Sequence, residues 1–464
     1  METRTEVDSL GERQVPQTAY YGVQTLRAVE NFPVSGLKAP AVFVYAYVLV
    51  KKASAVANME VGWLDKKIGN ALVKVCDEVL AGKLRDQFVV DVFQAGAGTS
   101  FNMNVNEVLA NRVLELLGEK RGNYKIVSPN DHINMAQSTN DTFPTALHVA
   151  ALLALEPLLV ALDDLAESFE KLGYKYTSVI KSGRTHLQDA LPVTIGEEFV
   201  AYASAVRNAR TQLKTRSKRL EELALGGTAV GTGVNTHKDF TKFTVNELSK
   251  MTGFNFTVAS NPFEALQSRN AIASVSGALK ELALELIRIT NDLRLLSSGP
   301  TTGLAEIVLP AVQPGSSIMP GKVNPVMAEC LDMVCFQVVG NDFTISLAVQ
   351  AGQLELNVMT PVMMHNLLQS IELLGNFLPV FTKKCVDGIT VDAQRCSSYL
   401  EMNPSLAVFL SPCVGYLEAA KTAKQALEEK RSVKQVALEK GVLKPEKAEE
   451  IFERDFLLGK KGRR

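Results

Sequence analysis

The segment Gly315–Pro325, with the sequence GSSIMPGKVNP, combines reactive side chains with glycines and prolines as a catalytic loop does. Its hydroxyl, ammonium and amide groups include those of Ser316, Lys322 and Asn324. An ammonium and an amide can hold a carboxylate, and a serine oxygen near cations and main-chain amides can act as a general base. Because serine is a poor base at its ordinary pKa, this role requires a strongly perturbed environment.

The same segment looks superficially like a phosphate-binding loop, but its spacing excludes that function. Five residues separate Gly315 from Gly321, one more than the phosphate-binding motif allows. Val323 follows Lys322, where that motif requires a serine or threonine. We therefore interpret the segment as a glycine-hinged loop that binds a carboxylate.

Three further segments mix glycine or proline with small hydroxyl and amide side chains. Such residues at helix ends offer main-chain and side-chain donors to an anion. For any one segment, ordinary helix capping explains the composition, but four of them between apolar helices favour a site for an anionic substrate. The three segments are Gln94–Ser100 (QAGAGTS), Gln137–Thr145 (QSTNDTFPT) and Ser182–Asp189 (SGRTHLQD).

His186 lies in the last of these segments, and we expect it at the start of a helix. No Gly-x-Ser-x-Gly sequence supplies a nucleophile that would recruit it for acyl transfer. The other four histidines lack the HxxxH or HxH spacing of a metal site. The six cysteines show no CxxC pair, so we expect neither a zinc site nor structural disulfides.

Apolar residues at helical spacing predict the elements that must position these segments. One seam runs from Val275 to Leu293 at intervals of three and four residues, which predicts a long helix of a bundle. Similar seams run from Leu155 to Phe169, where Pro157 would bend the helix or lie near its start, and from Leu331 to Ile345. We therefore predict an all-α protein with a long central bundle.

Strand-like alternation is limited to short stretches around Lys125–Val127 and Phe254–Val258. Long helices with apolar residues on several faces commonly bury those faces against copies of the same chain. We therefore expect a homo-oligomer.

The composition excludes several classes of partner and location. The 464 residues are 46% hydrophobic, with a formal net charge of -1, so electrostatics favours neither nucleic acid nor an anionic membrane. The N-terminus lacks the basic-then-apolar order of a secretory signal, and the apolar run Ala41–Val50 is only half of a membrane-spanning helix. We interpret the basic residues 459–464 as a solvated end, and we expect a cytoplasmic globular protein.

At these loops the chain resembles the aspartase/fumarase superfamily. GSSIMPGKVNP matches the signature of that superfamily, and the segments QSTNDTFPT, GRTHLQDA, GGTAVGTG and GQLELNV occur in the family's order. The resemblance runs from about Gly11 to about Phe456. It implies an all-α subunit with domains at residues 1–139, 140–394 and 395–464, the second containing a central five-helix bundle. It also implies a homotetramer with a twenty-helix core, in which loops of three subunits build each active site.

The resemblance further implies a role for each matching residue. Ser316 would be the general base that removes a proton next to a carboxylate, while Lys322 and Asn324, with Ser317 beside them, would bind that carboxylate and stabilise the aci-carboxylate. Glu329 matches the acid that pairs with the histidine in relatives. The substrate's own carboxylate serves as electron sink, so no cofactor or metal is implied. The other carboxylate and the leaving group would be held by Thr99, Ser138, Thr139, Asn140, Thr185 and His186.

Members of the family differ in leaving group, and residues near the expected pocket favour aspartate ammonia-lyases. Ala97 stands where fumarases of this kind carry the serine of GSGT, which removes a hydroxyl. The pair Ser138-Thr139 resembles aspartases, whereas fumarases usually have two serines. Tyr20–Thr25 and Asn357–Met359 also resemble aspartases. The resemblance thus favours the reversible deamination of L-aspartate to fumarate and ammonia.

Fumarate hydratase, which interconverts fumarate and L-malate, is the alternative. Asn235–His237, Asn261–Ala265 and His365–Ser370 resemble fumarases, although we expect most of them outside the pocket. Argininosuccinate and adenylosuccinate lyases are more remote, because they usually have Gln-Lys where this chain has Gly321-Lys322. A catalytically silent structural relative, like the lyases recruited as lens proteins, is disfavoured by the intact signature residues.

Overall fold

The structure, a computed structural model, describes residues 2–461, most of which lie in helices. The helices are α1 (Val23–Asn31), α2 (Ala41–Glu60), α3 (Lys66–Leu80), α4 (Thr99–Leu116), α5 (Thr139–Lys175), α6 (Ile195–Ser217), α7 (Phe240–Thr252), α8 (Pro262–Gln267), α9 (Asn270–Leu296), α10 (Val326–Gln350), α11 (Thr360–Lys384), α12 (Ala393–Glu401), α13 (Ser411–Val414), α14 (Tyr416–Glu429), α15 (Val433–Glu439), α16 (Pro445–Ile451) and α17 (Arg454–Leu457). The strands are β1 (Thr3–Asp8), β2 (Gly11–Pro16), β3 (Ile180–Thr185), β4 (Gln188–Thr194), β5 (Glu222–Leu223), β6 (Thr257–Val258), β7 (Ile307–Val308) and β8 (Thr390–Val391).

The strands form only two-stranded pairs. β1 pairs with β2, β3 with β4 and β7 with β8, all antiparallel, while β5 and β6 are parallel. The prediction of a mostly helical fold is therefore confirmed. Of the two predicted strand regions, Lys125–Val127 is wrong because it forms a turn, and Phe254–Val258 is right only for β6.

The seams predicted from apolar spacing belong to three long helices. The seam from Val275 to Leu293 lies in α9, and its leucines and isoleucine are buried. The seam from Leu331 to Ile345 lies in α10. Pro157 does not lie near the start of its helix, because α5 begins at Thr139, and the alternative that it bends the helix stays a prediction.

The chain divides into two compact units. The first comprises Met1–Leu159, Thr211–Ala283 and Val334–Asn376, and the second Val160–Arg210, Leu284–Met333 and Phe377–Arg464. Five long helices (α5, α6, α9, α10 and α11) contribute residues to both units. The division into three domains stays a prediction, as do the five-helix bundle and the tetramer core.

An aromatic cluster in the first unit brings α2, α4 and α5 together. The Phe43 ring of α2 lies 5.1 Å from the Phe101 ring of α4 and 4.9 Å from the Phe143 ring of α5, measured between centroids. All three side chains are buried. Since Phe101 and Phe143 lie near the starts of their helices, the cluster places the N-terminal ends of α4 and α5 next to each other.

In the second unit, the hairpin β3–β4 is fastened to the segment after α12. The Nδ2 of Asn403 donates to the Ser182 Oγ of β3 at 2.6 Å and to the Ala190 carbonyl of β4 at 2.7 Å. Ser405 Oγ donates to the carbonyl of Asp189 at 2.9 Å. Both strands of the hairpin are thus held by one short stretch of the C-terminal part of the chain.

Two helices, α2 and α5, are long and apolar enough to cross a membrane by length and composition alone. The run Ala41–Val50 was expected to fall short of that length, but its helix continues through Lys51 to Glu60. Most residues of the apolar windows of both helices are buried inside the protein. This burial is typical of core helices.

Candidate active site

The Gly315–Pro325 loop folds so that main-chain amides point at the hydroxyl of Ser316. The Oγ of this serine accepts hydrogen bonds from the amide of Met319 at 2.9 Å and from that of Ile318 at 3.2 Å. The serine is half-buried, while Ser317 beside it is exposed. Two aligned N–H donors stabilise negative charge on an oxygen. They supply part of the perturbed environment that a serine base requires.

The ends of this loop are held together by tight main-chain packing. The Nδ2 of Asn324 donates to the carbonyl of Gly315, and the Lys322 amide donates to the carbonyl of Met319 at 3.3 Å. A Cβ added to Gly315 would lie 2.2 Å from the carbonyl oxygen of Lys322 and 2.7 Å from the amide nitrogen of Asn324. Only glycine permits this approach, so Gly315 shapes the loop by lacking a side chain.

A cleft of about 760 Å³ opens beside the C-terminal half of the loop. It is lined by Pro320–Pro325, by Arg294 and Ser297–Pro300 at the end of α9, and by Ala305 and Ile307–Leu309 around β7. Lys322 is exposed at this cleft and Asn324 is half-buried. The cleft has the volume of a small-molecule site, and it contains the two side chains predicted to bind a carboxylate.

Glu329 lies in the first turn of α10, directly after the loop. Its amide donates to the Pro325 carbonyl at 3.1 Å, and its side chain is half-buried. Within residues 2–461 of one chain, the structure shows no hydrogen bond or ion pair between Glu329 and His186. The pairing that the resemblance implies is therefore not formed inside a single chain.

His186 lies at the tip of the β3–β4 hairpin, and the expectation that it begins a helix is wrong. Thr185 pairs with Gln188, so His186 and Leu187 are the two central residues of the turn. Both have positive φ values, 56° and 60°, as a two-residue turn of the I′ type requires. The twist of the flanking strands favours this turn even without the usual asparagine and glycine. Thr185 and His186 are exposed at this tip.

A buried group of charges supports the base of the hairpin. The guanidinium of Arg184 forms two hydrogen bonds to the Glu306 carboxylate, at 3.0 and 2.8 Å. Lys181 reaches the same carboxylate at 2.7 Å and that of Glu198 at 2.9 Å. Glu306 is fully buried, so its charge is compensated by the two cations of β3. These contacts fix β3 just before Thr185.

In the first unit, Thr99 and Thr139 occupy the adjacent starts of α4 and α5. Asn102, in the first turn of α4, donates from Nδ2 to the Oγ1 of Thr139 at 2.9 Å. Gly98 precedes α4 with a φ of 94°, and a Cβ there would lie 2.1 Å from the ring of Phe143. Thr99 is exposed and Thr139 is buried. The structure therefore brings these two predicted site residues together.

Ser138 and Asn140 complete the first turn of α5. The Oγ of Ser138 accepts from the Asn140 amide at 3.2 Å, and the Asp141 carboxylate accepts from the Ser138 amide at 3.0 Å, a reciprocal cap. The other oxygen of Asp141 accepts from the amides of Gly226 and Thr228, both at 3.0 Å. The GGTAVGTG segment is thus attached to the start of α5. Helix α5 begins inside the Gln137–Thr145 segment.

The sequence interpretation missed a buried polar network beneath Thr139. The Nζ of Lys51 donates to Asn134 Oδ1 and to Gln137 Oε1, both at 3.0 Å. Asn102 also donates to Asn134 Oδ1, at 3.1 Å. Burial lowers the pKa of Lys51 to about 7. One feature of the sequence could have indicated this network, because Lys51 interrupts the apolar pattern of α2. The structure shows that Lys51 is fully buried.

Asp141 belongs to the same buried environment. Burial raises the pKa of its carboxyl to about 7, although the amides of Ser138, Thr228 and Gly226 favour the charged form. The buried charge of Lys51 also favours that form. The start of α5 is therefore held by groups whose charge depends on pH near neutrality.

The predicted site residues fall into two sets, one in each unit. Loop and hairpin residues of the second unit include the predicted general base, the predicted carboxylate-binding residues and the histidine, and helix starts of the first unit contain the predicted hydroxyl and amide groups. Among residues 2–461 no group of three or more His, Cys, Asp or Glu side chains could hold a metal ion. The first-unit set is Thr99, Ser138, Thr139 and Asn140, and the second-unit set is Thr185, His186, Ser316, Ser317, Lys322, Asn324 and Glu329.

Comparison with known proteins identifies the family. A family model described as lyase matches residues 11–340, and one described as fumarase C C-terminus matches residues 406–458. The chain is 48% identical to an aspartate ammonia-lyase of Bacillus subtilis (strain 168) over 451 residues, which cover 97% of this chain and 95% of the relative.

Two solved structures have the same fold. A Brucella melitensis protein described as fumarate lyase:delta crystallin is 48% identical, with a TM-score of 0.94, and the match covers 98% of this chain and 99% of that one. A class II fumarase from Schistosoma mansoni is 38% identical, with a TM-score of 0.95, and the match covers 99% and 100% of the two chains. The resemblance seen in the loop sequences is confirmed, and the chain belongs to the aspartase/fumarase superfamily of lyases.

Proposed function

We propose that the protein is an aspartate ammonia-lyase, which converts L-aspartate reversibly to fumarate and ammonia. The observation that carries the proposal is the pair of main-chain amides, from Ile318 and Met319, that donate to the Oγ of Ser316. Fixed donors of this kind lower the free energy of a negatively charged oxygen. They make Ser316 a base suited to take a proton from the carbon next to a carboxylate.

The reaction proceeds through an aci-carboxylate in this proposal. The Ser316 oxygen takes the proton from Cβ of L-aspartate, and the electrons of the broken C–H bond move into the adjacent carboxylate. The electrons then return to form the carbon–carbon double bond, the bond between Cα and nitrogen breaks, and ammonia leaves. The additional negative charge on the carboxylate in the intermediate is met by the ammonium of Lys322. The substrate supplies its own electron sink, so the step needs no cofactor.

The remaining site residues hold the substrate and the leaving group. Asn324 uses one N–H of its amide to close the loop on Gly315, which leaves its second N–H for the carboxylate. Thr99, Thr139 and Asn140 offer hydroxyl and amide groups at two adjacent helix ends, where the helix dipoles also favour an anion. Thr185 and His186, at the exposed hairpin tip, complete the site in the assembled protein. His186, with Glu329 as its acid, lies on the side of the leaving group.

The names of the relatives favour ammonia as the leaving group. The Bacillus subtilis relative is an aspartate ammonia-lyase, and so is a Helicobacter pylori relative that is 45% identical over 457 residues. The similarity to the Schistosoma mansoni class II fumarase supports the second candidate, fumarate hydratase. The fumarase is less similar in sequence to this chain than these two relatives are, and this difference, together with Ala97 and Thr139, favours the aspartate ammonia-lyase function.

Assays with the two substrates test the proposal. The purified protein is expected to release ammonia and fumarate from L-aspartate and to leave L-malate unchanged. Malate dehydration without ammonia release would replace the first candidate by the second. Inactivity on both substrates would favour the alternative that the protein is a catalytically silent structural member of the family.

We further propose a homotetramer, in which loops of three subunits form each site. Large apolar side chains are exposed on α10 in the single chain: Met333 is 61% exposed, Phe336 58% and Phe343 67%. They share one face of the helix, and an exposed apolar stripe of this kind is typical of a subunit interface. The missing contact between His186 and Glu329 within one chain agrees with sites that join different subunits.

Mixing inactive variants tests the shared site. Ser316→Ala and Thr185→Ala are each expected to lack activity, because each removes one component of the site. If the two residues of one site come from different subunits, denaturing the variants together and refolding them should restore part of the activity. Recovery no greater than that of the separately refolded variants would contradict sharing, and light scattering would report the number of subunits.

A further inference from the structure

A small cavity at the start of α9, which we call the α9 cavity, lies outside the proposed catalytic machinery. It is bordered by Pro144 and His148 of α5, by Arg219 and by the residues on both sides of Arg269. All its lining residues belong to the first unit. The free space is about 50 Å³, enough for a few water molecules or one small oxyanion.

Arg269 brings to this cavity a buried charge that has no direct ion pair among residues 2–461. The residue is only 3% exposed, and its Nη1 donates to the carbonyl of Ala265 at 2.5 Å. Its Nε and Nη2 are buried and have no hydrogen-bond partner among residues 2–461. A buried guanidinium with two unused donors is costly, and native proteins usually give such groups a partner. The unused donors indicate that a partner is missing from the single chain.

The same cavity contains the beginning of a long helix. Asn270 and Ala271, the first residues of the 27-residue helix α9, line it. First-turn amides have no acceptor within a helix, and the helix dipole adds partial positive charge there. Ser268 Oγ accepts from the Asn270 amide at 3.3 Å and the Arg269 carbonyl accepts from the Ala273 amide at 3.1 Å, so the amide of Ala271 can bind an acceptor in the cavity.

The acidic side chains at the cavity form no direct ion pair with Arg269 among residues 2–461, and Glu264 acts on its charge only through space. Glu222 Oε1 already accepts from the amide and the hydroxyl of Ser260, at 2.6 and 3.0 Å. Glu264 is exposed and makes no hydrogen bond to Arg269. The Nδ1 of His148 lies 3.1 Å from the Glu222 carbonyl oxygen and donates to it, and burial together with the charge of Arg269 lowers the pKa of His148 to about 4. This histidine is therefore neutral at pH 7.

Arg219 adds a second cation on the open side of the cavity. It is exposed, and the structure shows no ion pair for it in the part of the chain that it describes. Two planar guanidiniums in the lining of a space this small are suited to an anion with two or more oxygens. We propose that the α9 cavity binds a small oxyanion, inorganic phosphate or a simple carboxylate, between Arg269, Arg219 and the first turn of α9.

Thermal stability of the intact protein tests this site. The melting temperature is measured with increasing inorganic phosphate, and separately with acetate, at constant ionic strength. Because an anion could also bind at Lys322, both titrations are repeated in Lys322→Gln. We expect stabilisation by one of the two anions that persists in Lys322→Gln, and the anion that acts identifies the ligand as a phosphate or a carboxylate.

Two arginine variants locate the binding. Arg269→Met should weaken anion binding by about tenfold or more, because it removes the charge-assisted hydrogen bonds. It should melt no lower than the parent protein without the anion, since it removes an unpaired buried charge. Arg219→Gln changes an exposed side chain and leaves the packing of the core intact. It should weaken anion binding by about threefold or more, whereas Lys218→Gln, at the neighbouring exposed residue, should not.

The absence of any stabilisation in Lys322→Gln would overturn the proposal. So would an anion response that is the same in Arg269→Met as in the parent protein. If Arg269→Met does not fold, an anion response that is equal in Arg219→Gln and Lys218→Gln would also overturn the proposal.

Discussion

The hydroxyl oxygen of Ser316 lies 2.9 Å from the amide nitrogen of Met319, which donates a hydrogen bond to it. The amide of Ile318 donates to the same oxygen at 3.2 Å. A serine that only caps a turn can accept the same two hydrogen bonds as a serine that acts as a base, so the two roles are distinguished by the activity of variants. The following predictions test this site and the elements that hold it.

Ser316→Ala should lower kcat by about 100- to 10,000-fold, because it removes the general base. Substrate should still bind, since Lys322 and Asn324 remain. Ammonia release and calorimetric binding of L-aspartate measure the two effects. Ser398→Ala, at an exposed serine of α12, is the matched control and should keep full activity. Near-normal turnover of Ser316→Ala would remove this residue as the base.

Ala97→Ser should admit weak hydration of fumarate, if the missing hydroxyl governs the choice of leaving group. Ala97 is 5% exposed, with a φ of 55°, and its carbonyl accepts from Thr360 Oγ1 at 3.1 Å. The new hydroxyl therefore enters a confined place near the start of α4. Malate formation from fumarate is the measurement, and an unchanged substrate profile would count against a role for this position.

Glu306→Ala should lower the free energy of unfolding by about 3–5 kcal/mol, because it leaves Arg184 without its carboxylate partner and the buried Lys181 with Glu198 alone. Glu281→Ala is the matched control, since Glu281 pairs with Arg216 at the surface at 2.9 Å. Loss of that exposed pair should change stability by about 0–1 kcal/mol. Urea unfolding compares the two variants, and equal effects would show that the buried charges do not support the hairpin.

Gly315→Ala should reduce activity by about tenfold or more with little change in melting temperature, a reduction within the range that misplaced reacting groups produce. Its Cβ would collide with the main chain of Lys322 and Asn324, so the loop must open. Gly375→Ala is the control, because the nearest atom to a Cβ there is the Cβ of Leu158, at 4.0 Å. That substitution lies inside α11 and should stabilise the protein by about 0.4–1 kcal/mol. Full activity of Gly315→Ala would show that catalysis does not need the closed loop.

Lys51→Met should change how stability depends on pH. Burial lowers the pKa of Lys51 from 10.5 to about 7, so between these values the folded protein binds fewer protons than the unfolded chain. This contribution makes stability rise with pH in that window. Between about pH 7 and about pH 8.5, the melting temperature of the parent protein should therefore rise relative to that of Lys51→Met.

Lys52→Met serves as the control for that series. Lys52 forms a more exposed ion pair with Asp77, at 2.6 Å, and has no comparable burial. Its variant should follow the parent protein across the same pH range. A Lys51→Met variant that also runs parallel to the parent protein would mean that the buried amine is not proton-linked to folding.

Long-range contacts explain which parts of the molecule could be predicted from sequence. The periodic leucines of α9 and the glycines and prolines around Ser316 are local patterns, and the predictions of a long helix and of a loop are confirmed. Lys51 and Gln137 are 86 residues apart, and no local pattern reveals that they meet. The β3–β4 hairpin was missed because its turn residues, His186 and Leu187, are not the ones that normally mark such a turn.

The attachment of the hairpin to Asn403 has a consequence for biosynthesis. This side chain lies 221 residues after Ser182, the residue of β3 to which it donates. A growing polypeptide therefore makes the histidine tip long before it makes the asparagine that fastens both strands. Chains interrupted before Asn403 would contain the Ser316 loop and His186 but lack the hydrogen bonds that hold the two strands. We therefore expect the hairpin to be ordered only after synthesis has passed Asn403.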